Sequence, residues 1–142
     1  MITKFRAYDL VENEWINIRT IGLSDNGGLW YLQAWDENED DIDPPYFEDD
    51  LGETWVLLQS TGLFDKNGKE IYESEIVDVS TVGGRFYLRG IVKKVKGGFY
   101  IEELTRSNVT PLTDFYFKGY TNTLEIKIIG NIYQDKDLLE ED

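Results

Sequence analysis

Glycine-marked reversals recur along this chain and set the length of everything between them. They are Asp25-Asn26-Gly27-Gly28, Asp65-Lys66-Asn67-Gly68, Gly83-Gly84 and Lys96-Gly97-Gly98. Glycine takes positive φ at no steric cost, and Asn or Asp stabilises a reversal through its side-chain oxygen. The intervening stretches are short and rich in aromatic and β-branched residues, which suit half-buried strands. Short strands at such spacing predict a mainly β to α+β fold of small rolled sheets.

The stretches can be placed. Lys4 to Tyr8 and Trp15 to Thr20 predict a hairpin about a turn at Val11 to Glu14. Leu29 to Trp35, Thr54 to Ser60, Ile76 to Ser80, Arg85 to Val95 and Phe99 to Leu104 are further strands. Gly90 marks a bend. Asn67-Gly68 predicts a tight type I′ turn. Leu112 to Leu124 reads equally as strand or helical turn. Leu124 to Tyr133 is a strand whose Gly130 signals a bulge or a close backbone approach. Asp135 to Asp142 predicts a short C-terminal helix with Asp135 as its N-cap. Ile71, Ile76 and Val77 are expected core residues.

Charge is concentrated rather than spread. Ten acids lie between residues 36 and 53, with no Lys or Arg among them: Asp36, Glu37, Glu39, Asp40, Asp41, Asp43, Glu48, Asp49, Asp50 and Glu53. Asp135 to Asp142 holds five more acids and one base, Lys136. Removing these from the chain's 28 acids and 14 bases leaves thirteen of each, so the remainder is neutral. Pro44-Pro45 cannot join a central strand, and residues 36–53 are therefore read as an acidic loop outside the sheet. Such a run is usually a solvated, self-repelling segment. Its functional reading is a docking surface for a basic protein. It lacks the EF-hand pattern: counting from Asp36, the glycine position holds Asp41 and the closing glutamate position holds Phe47. Direct nucleic-acid binding is not expected, because phosphate is repelled. Lys93, Lys94 and Lys96 form the one small basic cluster, and neighbouring strand residues point to opposite faces.

The chain contains no cysteine and no histidine. Thiolate nucleophiles, disulfides, thiolate zinc sites and imidazole-based triads are therefore absent. What remains to an enzyme is paired carboxylates, Lys, Tyr or an oxygen-held metal, and a polyanionic loop does not hold catalytic geometry. No catalytic residue, cofactor or metal ligand is assigned. The start, MITKFRAYD, has no apolar signal region, and no apolar run is long enough to span a bilayer, so a cytoplasmic protein without membrane contact is expected.

Three segments together resemble the YopX family, small proteins of phages and prophages of Gram-positive bacteria. They are Lys4-Phe5-Arg6-Ala7-Tyr8-Asp9, the run from Gln59 to Val77 with Thr61-Gly62-Leu63-Phe64-Asp65-Lys66-Asn67-Gly68 at its heart, and Ile128-Ile129-Gly130-Asn131-Ile132-Tyr133 followed by Leu138-Leu139. The resemblance implies one domain over residues 1–142, divisible into an N-terminal β part, 1–60, and an SH3-like barrel part, 61–142. It implies self-association and supplies no catalytic residue. The family pattern has Gly-Asp where this chain has Ser74-Glu75, and a glycine there permits positive φ.

The leading functional expectation is a phage-encoded, non-enzymatic module that binds a protein or assembles with itself as a homo-oligomer. The alternative is an acidic, nucleic-acid-mimicking inhibitor that occupies a basic site of a host or defence protein, in the manner of an anti-CRISPR, through the carboxylates of residues 36–53.

Overall fold

In a computed structural model of the protein, residues 4–36, 38, 40–106, 108–117 and 124–140 are described. The chain divides into two compact units, Lys4–Leu58 and Gln59–Asp142. Among the described residues strand makes up 59% and helix 7%, in curled sheets, so the mainly β expectation holds.

The N-terminal unit carries β1 (Phe5–Asp9), β2 (Glu14–Ile16), β3 (Ile18–Leu23), β4 (Leu29–Trp35), β5 (Asp41–Phe47), a 3-10 turn (Glu48–Asp50) and the start of β6 (Trp55–Phe64). β1 and β2 form the predicted hairpin, with Ala7 opposite Ile16 and Asp9 opposite Glu14. The expected strand Trp15 to Thr20 is two strands. β2 pairs with β1, whereas β3 pairs with β4, and the chain changes partner at Asn17. The Asn17 carbonyl accepts the Trp35 N–H at 3.1 Å, which holds the change in place. The order of the second sheet is β3-β4-β5. Ala7, Leu32 and Trp55 form the buried centre, with Ile16, Ile18, Ile21, Leu29, Tyr46 and Leu57 packed on it.

The C-terminal unit contains the rest of β6, then β7 (Glu70–Tyr72), β8 (Glu75–Thr81), β9 (Phe86–Val95), β10 (Gly98–Glu103), β11 (Val109–Pro111), the single helical turn α1 (Asp114–Phe117) and β12 (Leu124–Asn131). Its five-stranded sheet runs β11-β10-β9-β8-β12. The core collects Ile71, Val77, Val79, Leu88, Val92, Ile101, Leu112, Phe115 and Ile126. Ile71, Ile76 and Val77 are fully buried, as expected. Gly90 is required by close approach: a Cβ there would lie 2.5 Å from Ile101 Cγ2 and 2.7 Å from the Glu102 carbonyl oxygen.

Three hairpin loops share one design. In Ser24–Gly28, Asp65–Lys69 and Thr81–Arg85, the fourth residue donates to the carbonyl of the first, and the first donates to the carbonyl of the fifth. The fourth residues Gly27, Gly68 and Gly84 alone take positive φ, at 84, 80 and 91°. Asn67 does not, so the turn expected as type I′ is a type I turn closed by a glycine bulge. The first residue's side chain decides it in two of them: Asp65 Oδ1 accepts the N–H of Asn67 and of Lys69, and Thr81 Oγ1 accepts that of Arg85.

The C-terminal segment is the expected short helix, a 3-10 helix over Lys136–Leu139, but without the expected side-chain cap. Asp135 stands at the N-cap position, but its Oδ2 accepts the Asn131 N–H at 3.0 Å instead. Gly130 combines both features expected of it. The β12–β8 register slips beside it. A Cβ at Gly130 would lie 2.5 Å from Asp135 Oδ2. Of the ambiguous stretch Leu112 to Leu124, residues 118–123 lie outside the described residues.

Candidate functional site

The acidic stretch is not a loop outside the sheet. Asp41 to Phe47 is strand β5, paired antiparallel with β4. The two prolines are accommodated because β5 is an edge strand and its register breaks where they sit. Tyr31 faces Phe47 and Leu32 faces Tyr46, then Ala34 faces Ile42, so Asp43, Pro44 and Pro45 fall in the irregular stretch opposite Gln33. A missing ladder donor costs little at such a place.

The eight of these acids that lie among the described residues are thereby distributed over turns and a strand. Asp36 Oδ1 accepts the N–H groups of Asn38 and Asp40, which closes the reversal from β4 into β5. Asp40 is exposed at the strand's entry, and Asp41 and Asp43 lie on its backbone. Glu48, Asp49 and Asp50 form the exposed 3-10 turn after β5, and Glu53 is exposed beyond it. Glu37 and Glu39 lie outside the described residues.

One polar contact holds β5 in place. The Tyr46 hydroxyl donates to Asp9 Oδ2 at 2.6 Å, while Asp9 Oδ1 accepts the N–H groups of Val11 and Glu12, each at 2.9 Å. Burial opposes ionisation of Asp9, but the Tyr46 hydroxyl and the two backbone donors outweigh it and hold the carboxyl below its ordinary 3.8. Burial, the bond to Asp9 and the charges of Asp9, Glu14 and Glu12 push the Tyr46 phenol far above its ordinary 10.0. The Tyr46 ring also lies against Trp55, whose indole N–H donates to the Phe47 carbonyl at 2.9 Å. The edge strand is thus pinned to the core of the unit.

Beside the acidic turn lies an aromatic feature. β4 carries a bulge at Trp30: Gly22 faces Tyr31 and Leu23 faces Leu29, leaving Trp30 without a partner. A bulge turns one side chain away from the face its neighbours share. Leu29 packs on the core, and Trp30 is thrown into solvent, 60% exposed. Its indole meets Tyr31 edge to face at 5.6 Å. Tyr31 in turn lies over Gly22, where any Cβ would overlap its ring. Trp30, Leu29 and Phe47 line a cavity of about 360 Å³ together with Ser24, Glu48 and Asp49. A second hollow in this unit, about 500 Å³, is lined by Phe5, Arg6, Trp15, Asn17 and Trp35 among others. There the Arg6 guanidinium already stands 5.5 Å from the Trp15 ring centre.

Sequence reasoning found the acids and missed the aromatics beside them. The unalternating run Leu29-Trp30-Tyr31-Leu32 was the available sign of a bulge. The basic residues Lys93 and Lys94 are engaged separately, with Glu102 at 2.8 Å and with Gln59. Among the described residues no group of three or more Asp or Glu is placed to hold a metal ion, and no helix is long and apolar enough to cross a membrane.

The profile of the YopX protein family matches residues 4–140. The chain belongs to the YopX family. A crystal structure of protein EF1440 from Enterococcus faecalis is similar to it, with 26% identity, 99% of each chain covered and a TM-score of 0.62. The crystal structure of protein yopX from Bacillus subtilis shares the fold, with 20% identity, 96% of this chain and 97% of that one covered, and a TM-score of 0.65. Among curated proteins none matches the sequence.

In this YopX-family member the central segment Gln59 to Val77 is a hydrogen-bonded scaffold. Ser60 Oγ donates to Glu70, Thr61 Oγ1 donates to the Ile71 carbonyl at 2.7 Å, and both hydroxyls also accept backbone N–H groups two residues on. The Glu73 carboxylate accepts the Gln59 N–H at 2.7 Å, and the buried Glu75 carboxylate accepts that of Tyr72. Asp65, also buried, accepts a third N–H, from Ile128, at 3.1 Å. Ser74 takes φ 71°, the left-handed conformation that the family glycine would adopt freely. Its N–H donates to the Val92 carbonyl at 2.6 Å and its own carbonyl accepts the Ile132 N–H at 3.0 Å, so the surroundings fix that conformation.

Proposed function

We propose that this YopX-family protein is an accessory protein of a phage or prophage, acting in the host cytoplasm as a non-enzymatic protein-binding module. One observation carries the reading. On the N-terminal unit the exposed carboxylates Glu48, Asp49 and Asp50 adjoin the exposed side chains of Trp30, Phe47 and Leu51. Aromatic residues with charge at their rim are the composition of an interaction surface. Tyr46 pins this surface to the core, so little ordering cost falls on association. The carboxylates select a basic partner and speed encounter with it.

The test is affinity capture from host-cell extract with the full-length protein as bait. The reading expects a defined basic partner that elutes with salt and is lost from a bait carrying Trp30→Ala, Glu48→Gln and Asp49→Asn. A partner retained equally by that bait contradicts it. The inhibitor reading is favoured by the run of exposed acids in the 3-10 turn, and it adds one expectation: nucleic acid competes for the same partner. Self-association is measured by size-exclusion chromatography with light scattering on the free protein.

A further inference from the structure

We propose that the cavity between Trp30, Phe47, Glu48 and Asp49 is a recognition pocket for an arginine side chain of the partner; this rests on the protein-binding reading and names its chemistry. The cavity, about 360 Å³, is large enough to admit one side chain. Its apolar lining is Leu29 and two aromatic rings, and its polar lining is Ser24 and two carboxylates. The single Ser24 hydroxyl proton is shared within its own turn, between Asn26 Oδ1 and the Gly28 carbonyl. That leaves Glu48 and Asp49 to choose the ligand, and they choose a cation. Neither forms an ion pair among the described residues, and the sequence from Asp36 to Glu53 holds no Lys or Arg that could neutralise them.

Guanidinium fits this set better than ammonium. It is planar, so it stacks on an indole face. It presents paired N–H donors to a carboxylate while its methylene stem covers apolar surface. Trp30 is the residue that the β4 bulge turns outward, so the ring needed for stacking is held at the cavity rather than drawn into the core. Phosphate ligands are repelled by the same carboxylates.

The experiment uses the full chain labelled with nitrogen-15 and two probe tripeptides, acetyl-Gly-Arg-Gly-amide and its citrulline counterpart, which has the same shape and no charge. The indole N–H of Trp30 is identified by its loss in Trp30→Ala. The arginine probe is expected to shift that signal saturably, and the citrulline probe to bind more weakly by about tenfold or more. Glu48→Gln with Asp49→Asn is expected to shrink the difference between the probes to what the Trp30 ring alone supplies, while leaving the spectrum of a folded protein. Equal binding of the two probes, or a saturable shift at another indole and none at Trp30, overturns the assignment. Either result leaves the protein-binding reading standing if capture of the partner still depends on the same residues, so the two claims fail separately.

Discussion

The Tyr46 hydroxyl and the Asp9 carboxylate stand 2.6 Å apart and join the acidic edge strand to the first hairpin. Tyr46→Phe removes one donor to a buried carboxylate and is expected to cost about 1.5 kcal/mol, read as a lower urea midpoint with an unchanged slope.

The same pair sets a pH window. The folded protein holds Asp9 below its ordinary 3.8, so the stability it contributes is present above that value and is lost as pH falls through the folded pKa. Tyr46 is raised above its ordinary 10.0, so its contribution is complete below that value and is lost as pH rises beyond it. Urea midpoints of wild type minus Tyr46→Phe are expected to stay constant from about pH 5 to 9 and to shrink on either side. A difference that grows toward acid would contradict the assigned direction.

Ser74→Gly relieves a left-handed conformation that costs a side-chain-bearing residue about 1 kcal/mol. Part of that is offset by the freedom glycine gains in the unfolded chain. The expected net gain is about 0.5 kcal/mol, measured by urea unfolding, with Ser74→Ala, which keeps a Cβ, giving no such gain.

Gly130→Ala places a Cβ against Asp135 and displaces the carboxylate that caps the Asn131 N–H. The expected loss is about 2 kcal/mol. In an Asp135→Gly background the same substitution is expected to cost much less, because the obstructing group is gone. Equal costs in both backgrounds would rule out this contact as the reason for the glycine.

Gly22→Ala is expected to push the Tyr31 ring from its seat and, through the edge-to-face contact, to move Trp30. Near-ultraviolet circular dichroism should change while the far-ultraviolet spectrum of the sheets is kept.

Much of this fold was legible because its strongest signals are local. Glycine turns, aromatic strands and the buried Ile71, Ile76 and Val77 follow from residue chemistry at short range. What was hidden depends on neighbours that sequence does not place. Pro44-Pro45 reads as a strand breaker, and becomes tolerable only when β5 is known to be an edge strand with a broken register. Trp15 to Thr20 reads as one strand, because its change of sheet at Asn17 is imposed by β4. Asn67-Gly68 reads as a two-residue turn until Asp65 is seen to accept two N–H groups across it. The acids of the candidate surface could be counted in the sequence. The outward Trp30 left only an indirect sign, the unalternating run Leu29-Trp30-Tyr31-Leu32, since a bulge is a property of pairing with β3.

Where a partner sits on the N-terminal unit is the central question. Hydrogen exchange of the full chain, alone and with the captured partner, locates the contact directly. The prediction is added protection over Leu23–Tyr31 and Phe47–Leu51. Protection confined to residues beyond Gln59, with both of those stretches exchanging as in the free protein, would contradict it.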